Sequence, residues 1–532
     1  MAAIITSNFR TVNASHFKEQ IEGSSVYVAI GKSDVWSLTT SDTTDTTPFV
    51  PGDNLDQLGE ARANLIGMKK IVPADIAHVV PRHTWTSGRS YFAWDSDDSS
   101  IFDKAFYVVT SEFKVYKCIK AGGGASSIQP TQTLTAPTAE SDGYTWKYMY
   151  TISVADAEKF LTNSYMPVKT VSLAASAVVA VASTTATIIL TETVPGINVG
   201  MTVSGTNVGS SKTVSAINGS VLTLSGAPSG SVSGILTFAY ANDAAAENVL
   251  SEADYAQYLN QKASRDSATA AGIERIEVTA GGTGYTNNTN VAVTITGDGT
   301  GATVTTTSGV TVAGNAVTGI TIANKGTNYR VADIVISGGA GSDATARAVI
   351  SPKAGHGVDP VSELGGFFVA LNTKLDGNDG GDITVGNDFR QITLFNEPRA
   401  YNATPLTGNI ATADTLKATS YLDFNSSATV ANYTVDELIV GAGGAQAYVV
   451  EKDTSNGFLR YHQNSKTGYK AFVNGEVVTG QSSSQADTLE TSNAVGNPEV
   501  DRASGEILFL ENRNPISRTT TQIEDIKVII EF

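Results

Sequence analysis

Apolar and polar positions along this chain alternate mostly with a period of two, the spacing of β-strands, and the 3.6-residue spacing of helices is scarce. Val26, Val28 and Ile30 alternate with Tyr27 and Ala29 ahead of the turn sequence GKSDVW. Phe106 to Thr110 and Lys114 to Ile119 read as two further strands. In the second, apolar Val115 set against polar Lys114 and Lys117 predicts one wet face. The segment TWKYMYTI is another strand, dense in aromatics. Val171 to Ala182 is the most apolar tract; it falls well short of the ~20 residues of a membrane helix and reads as a buried strand. Helical signals are few. Asn13 or Ser15 caps a short helix in which Phe17 and Ile21 share a face before Gly23 stops it. From Ala241 to about Thr269 the sequence is Ala-rich, with Leu250, Tyr255, Tyr258 and Leu259 separated by polar residues.

This patterning predicts a mainly β, multi-domain fold: a core of antiparallel sheets or β-barrel-like units, with few helices and small inserted all-β modules. The expected organisation is core over 1–170, an inserted β module over 171–240, a helical connector over 241–275, a duplicated β module over 276–350, core again over 351–405, a further inserted β module over 406–496 and core strands over 497–532. The first module is marked by the turns PGINVGMTVSG, INGS and SGAPSG in sequence almost free of charge. The duplication is explicit: IEVTAGGTGY ends at Tyr285 and ITIANKGTNY at Tyr329, 44 residues later, and the copies continue as VAVTITGDGTGA and DIVISGGAGSDA. Two copies are too few for a solenoid and predict a two-fold β module. In the last module SNG lies between alternating runs as a hairpin turn. At the end of the chain Ile507, Phe509, Ile526, Val528 and Ile530 predict two strands with one apolar face around ENRNP as the turn, so that the chain ends inside its fold.

Composition sharpens this picture. At 532 residues the chain exceeds the roughly 250–300 at which single cores stop growing. Only 16% of residues are charged, 41% are apolar and 50 are Gly, the profile of short strands and many turns. The 52 acidic residues against 35 basic ones give a formal net charge of −17, which opposes nucleic acid and anionic membrane as partners. Cys118 is the only cysteine, so no intrachain disulfide forms. MAAIITSNFR lacks the basic and apolar regions of a secretory signal, and synthesis in a host cytoplasm is expected.

Candidate chemistry is thin. GDGTGA at 297–302 has phosphate-loop glycines but sits among alternating Thr and Val with no helix after it, and the GKS at Gly31 lacks the upstream glycine of a phosphate-binding loop. Asp95, Asp97, Asp98 and Asp103 crowd one loop, yet Ser100 and Phe106 stand where a calcium loop needs Gly and Glu. In GHGVDPVSELGG, His356, Asp359 and Glu363 fit no ligand spacing; Asp359 followed by Pro360 predicts a capped short helix. His16, His78, His83 and His462 are dispersed, and Cys118 sits mid-strand as a small core residue. Tyr144, Trp146, Tyr148 and Tyr150 offer a sugar platform or, more simply, core and interface. No catalytic, cofactor-binding or metal residue is therefore assigned, no cofactor is expected and the chain reads as a non-enzyme.

The segments ITSNFRT at 5–11, GKSDVW at 31–36, PRHTW at 81–85, VYKC at 115–118, DGYTWKY at 142–148, FRQI at 389–392 and GEILFLENRNPISRTTTQIEDIKVIIEF at 505–532 carry a resemblance. In sequence and order they resemble the baseplate wedge subunit of T-even-like, contractile-tailed bacteriophages, the gene product eight family. The resemblance covers about 4–170, 352–400 and 500–532; the β modules between depart from it. It implies a structural subunit of the virion tail baseplate, a homodimer within each wedge, contacts with other wedge proteins and no enzymatic activity. A host-receptor-binding tail fibre or adhesin, touching surface glycan through the inserted modules, is the alternative.

Overall fold

The structure is a computed structural model; it describes residues 4–532 apart from 38, 43, 195, 269–270, 289, 306–308, 377–382, 384–385 and 520–521. Pro195, which opens the PGINVGMTVSG turn, and Thr269, the expected end of the connector, lie outside the described residues. The chain is mainly β, in antiparallel sheets. It divides into two compact units, one of residues 1–19, 77–369 and 530–532, the other of residues 20–76 and 370–529.

The first unit begins with a helix at Ser7–Gly23. It starts earlier than the Asn13 or Ser15 cap expected from sequence: the Thr6 hydroxyl accepts from the Phe9 amide at 3.3 Å, and the Arg10 amide reaches the Thr6 carbonyl. Phe9 and Val12 in the added turns are exposed, so no inward stripe announces them. A four-stranded sheet follows, in the order Tyr107–Val109, Lys114–Lys120, Thr145–Thr151 and Thr138–Ala139. The wet face predicted for the second strand is absent, because Lys117 is wholly buried.

Six strands between Ala174 and Ala239 form their own sheet around Val179, Ile188, Leu190, Leu222, Leu236 and Phe238. The tract Val171 to Ala182, expected to be a buried strand, forms the strand Ala174–Val181, which is buried only at Ala177 and Val179, whereas Val178 on the other face and Val181 at the strand end are exposed. The helix Glu252–Ser267 follows; Ser251 caps it, and Tyr258 joins the core of the six-stranded sheet.

The duplicated segment folds by reciprocal exchange. The leading strand of the first copy, Ile273–Thr283, pairs with the trailing strand of the second, Ser342–Ile350. The leading strand of the second, Ile322–Thr327, pairs with the trailing strand of the first, Thr300–Val304. The middle strands Val291–Gly297 and Ala332–Gly338 pair with each other. Tyr285 lies over Gly339 and Gly341 of the other copy, and Tyr329 over Gly297 and Gly299. A Cβ on Gly299 or Gly341 would overlap the ring, which is why those positions are glycine.

In the second unit a five-stranded sheet has the order Thr415–Lys417, Leu65–Lys70, Val26–Gly31, Asp388–Asn396, Glu506–Ser517. Val26–Gly31 is covered on both faces, with all six residues buried, so its alternation does not mark a wet side. The ENRNP expected as a turn lies inside the strand Glu506–Ser517. That strand is at the sheet's edge, where Pro515 forfeits no ladder bond to a neighbour, and two register shifts against Asp388–Asn396 absorb its irregularity. Ile526 and Val528 in the last strand, Ile523–Glu531, are buried as the alternation predicts. A seven-stranded sheet built from residues 420–496 completes the unit, around Leu422, Ile439, Val449, Leu459 and Val478. Its hairpin turns at SNG as read from sequence: Asp453 pairs with Phe458, the Asp453 carboxylate accepts from the Asn456 amide, and Gly457 has φ 77°.

Candidate functional site

Each unit hides a cluster of charged side chains beneath its sheets, and His356, Glu363 and His462 from the sequence candidates lie in these clusters. In the first unit, Lys117 and Lys147 face each other across the antiparallel pair Lys114–Lys120 and Thr145–Thr151. Two opposed like charges repel, and burial adds a desolvation cost. Both are met by residues from far along the chain. Lys117 Nζ binds Glu363 Oε2 at 2.9 Å and lies 3.9 Å from the centre of the Trp94 ring. Lys147 Nζ donates to Ser264 Oγ at 2.9 Å and to the Thr135 carbonyl.

Glu363 is held by the short helix Pro360–Leu364, with Asp359 as cap, Pro360 at its first position and Gly365 left-handed at its end. Its Oε1 accepts the amides of Gly357, Val358 and Asp359 at 2.8, 3.1 and 3.2 Å, so one carboxylate organises a whole loop. Burial would raise its pKa, but Lys117 and His356 outweigh burial and hold it at about 2. Burial lowers Lys147 to about 8, against the pull of Glu363. His356 is the unsatisfied member. Its ring nitrogens stand 3.7 Å from Glu363 and 3.8 Å from Glu274, too far for hydrogen bonds, and neither has a hydrogen-bond partner among the described residues. Burial, with Lys117 adding to it, keeps this imidazole neutral, with a pKa of about 4.

In the second unit the cluster is built on GKSDVW. Gly31 ends its strand where a Cβ would meet the Asn64 carbonyl at 2.9 Å, and Lys32 turns the chain with φ 62°. Asp34 is then placed to bind Lys32 at 2.7 Å, Lys466 at 2.9 Å and the Asn464 amide at 3.0 Å. Ser33 bonds His462 at 2.9 Å, and Asn464 also donates to Asn64. Arg390 of FRQI clasps Asp45 at 2.8 Å and Asp388 at 3.0 Å and donates to the Ser33 carbonyl. Burial works to raise the Asp34 pKa; Lys32, His462 and Lys466 together bring it below the ordinary value. Burial drives His462 down to about 4, and it drives Asp436 up to about 7 even though the Asp388 amide donates to that carboxylate.

The other residues singled out from sequence do not converge. Asp95 pairs with Arg347, Asp98 with Lys104 at 2.5 Å, and Asp97 is 3.5 Å from Arg347. Asp103 lies in the short turn Ile101–Asp103. Asp298 of GDGTGA accepts the amides of Arg330 and Val331 and so closes a turn. His16 lies in the first helix; His78 bonds the Gly366 carbonyl; His83 packs on the Tyr107 ring at 5.1 Å. Cys118 is buried and its thiol is pushed up to about 12 by burial. Tyr144 and Trp146 stack on each other inside the core and Tyr150 is buried as well, which leaves half-buried Tyr148 as the one ring of the four that reaches the surface. Among the described residues, no group of three or more His, Cys, Asp or Glu is arranged to hold a metal ion. Sequence reading placed Lys117 on a wet face and did not single out Lys147, Asp34 or Lys466. The available signal was local: Lys117 and Lys147 stand between buried Tyr116 and Cys118 and beside buried Trp146.

Comparison with known proteins places this chain's sequence. Residues 3–122 match a family described as Bacteriophage T4, Gp8. The baseplate wedge protein gp8 of Enterobacteria phage T4 is 23% identical over 202 residues, a match covering 31% of this chain and 60% of that protein. Over these stretches the sequence is similar to gp8, and residues 3–122 contain Lys32, Asp34, Asn64, Trp94 and Lys117.

Proposed function

We propose that this chain is a structural subunit of a phage tail baseplate wedge, made in the host cytoplasm and built into the virion through contacts with other wedge proteins. The match over residues 3–122 carries the reading. The placement of the matched residues supports it: Lys32, Asp34 and Lys117 are engaged in internal ion pairs under the sheets. Groups with that role hold a framework and have no access to a substrate. The net charge of −17 argues against nucleic acid as a partner. The proposal includes a homodimer within the wedge and no catalytic activity; the matches do not favour the receptor-binding alternative.

Gold-labelled antibody raised against the chain and applied to intact virions tests this. Label at the tail tip is the expected result. Label on the capsid or only along fibres overturns it. Sedimentation of the purified chain should give twice the monomer mass, and a strictly monomeric species at micromolar concentration removes the dimer while leaving the baseplate assignment to the labelling.

A further inference from the structure

Arg502 stands apart from the other cations of its unit. It is half-buried in a cleft of about 500 Å³ whose lining includes Arg62, Tyr401, Gln463, Tyr469 and Asp501. Among the described residues its guanidinium makes one hydrogen bond, to the Ala63 carbonyl at 3.4 Å, and no ion pair. A guanidinium has five N–H donors in a rigid fork, so most of its donor capacity faces the cleft unspent. Arg62, in the same cleft, is committed: it donates to the carbonyls of Arg502, Ser504 and Gly505 at 3.0, 2.6 and 2.7 Å. Two other surface clefts lack such a group, because Lys262 is paired with Asp243 and Asp266, and Arg513 with Glu511.

The neighbours of Arg502 narrow what fits. The carboxylate of Asp501 is spent on the amides of Leu406 and Ala503, and the Gln463 amide on the carbonyls of Gln446 and Lys470. Two side chains that would read sugar hydroxyls are therefore engaged within the fold, while Asn497 also lines the cleft. The uncommitted cation of the cleft is Arg502, flanked by Tyr401, 40% exposed, and Tyr469, 64% exposed, whose hydroxyl reaches Glu60 at 3.5 Å. Asp501 lies close enough to disfavour a dianion. One singly charged carboxylate on an apolar stem matches this set, bidentate on the guanidinium with its stem against the rings.

We propose that this cleft is a docking site for the Asp or Glu side chain of a protein segment. It rests on the baseplate reading only for which neighbour supplies that segment. Burial already pulls the Arg502 pKa below its ordinary value, so an incoming carboxylate would relieve a desolvated charge.

The full chain labelled with 3-fluorotyrosine tests the site, with the Tyr401 and Tyr469 signals assigned from Tyr401→Phe and Tyr469→Phe. The probes are acetyl-Ala-Glu-Ala-amide, its Gln counterpart, inorganic phosphate and N-acetylneuraminic acid. The Glu peptide should shift both signals saturably, bind at least about tenfold more tightly than the Gln peptide and lose its effect in Arg502→Gln. Equal response to the Glu and Gln peptides, tighter binding of phosphate or the sugar acid, or no saturable response overturns the proposal. Should Arg502→Gln fail to fold, Tyr401→Ser with Tyr469→Ser, both at exposed rings, must weaken the Glu peptide; unchanged binding in that variant overturns it equally. Virion labelling is independent of every arm, so the two readings fail separately.

Discussion

Glu363 and Asp34 are both buried carboxylates that neutralise lysines, yet they are satisfied differently. Glu363 gives one oxygen to Lys117 and the other to three backbone amides of a single loop. Asp34 receives Lys32 from its own turn and Asn464 and Lys466 from the segment after the strand Phe458–His462. The first carboxylate shapes the loop beside it. The second ties a distant sheet to the strand it follows. A buried charge is a poor source of net stability, but each of these fixes which segments meet, and the cost of deleting it depends on what is left behind.

Glu363→Gln breaks this comparison hardest. It keeps the shape but leaves Lys117, with Lys147 opposite, buried without its carboxylate partner, and should cost about 3–5 kcal/mol. Denaturant unfolding checks it, and a loss below about 1 kcal/mol would show that Glu274 substitutes. Asp34→Asn should lie at the low end of the same range, about 3 kcal/mol, because Lys466 keeps the Val35 carbonyl as a partner and Asn464 keeps Asn64, so that Lys32 bears most of the loss. If the Asp34 variant proves the worse, the side-chain tie matters more than the backbone one.

Acid should weaken both clusters together. His78, His356 and His462 each have a folded pKa of about 4, below the unfolded value near 6.5. Between those values the unfolded chain binds protons that the folded one does not, so stability falls as pH falls from about 6.5 to about 4, by up to about 1.4 kcal/mol per unit for each histidine. Glu363, at about 2 when folded, extends the loss below about pH 4. Asp436, raised to about 7, acts oppositely: it loses stability as pH rises from about 4 towards 7. Melting curves across this range should show a net decline towards acid, and Asp436→Asn should steepen it. A flat profile contradicts the neutral buried histidines. The smallest expected effect is Trp94→Leu, which removes the ring 3.9 Å from Lys117 and should cost about 1 kcal/mol. The corresponding Lys32 to Trp36 distance of 5.3 Å promises less from that contact.

Local chemistry made some of this legible in the sequence. Asp359 before Pro360 announced a capped helix and SNG a hairpin, because caps and turns are written in neighbouring residues. The charged clusters were not legible. A period-two reading assigns every strand lysine to solvent, and the partner that takes Lys117 inside lies 246 residues later. Asp34 likewise meets Asn464 across 430 residues. ENRNP misled for the same reason: a strand at a sheet edge tolerates Pro and polar residues that would mark a turn elsewhere.

The exchange of strands and tyrosines between the two copies at 276–350 has a consequence for descent. One copy alone holds a tyrosine whose glycine seat belongs to the other, and leading and trailing strands that pair with their opposite numbers. An ancestral single copy would have been complete only as a pair of chains. Fusing two such copies in tandem turns that encounter into an intramolecular one, at the effective concentration set by a short tether. From then on neither copy can be lost without stranding the other, so the two are retained together.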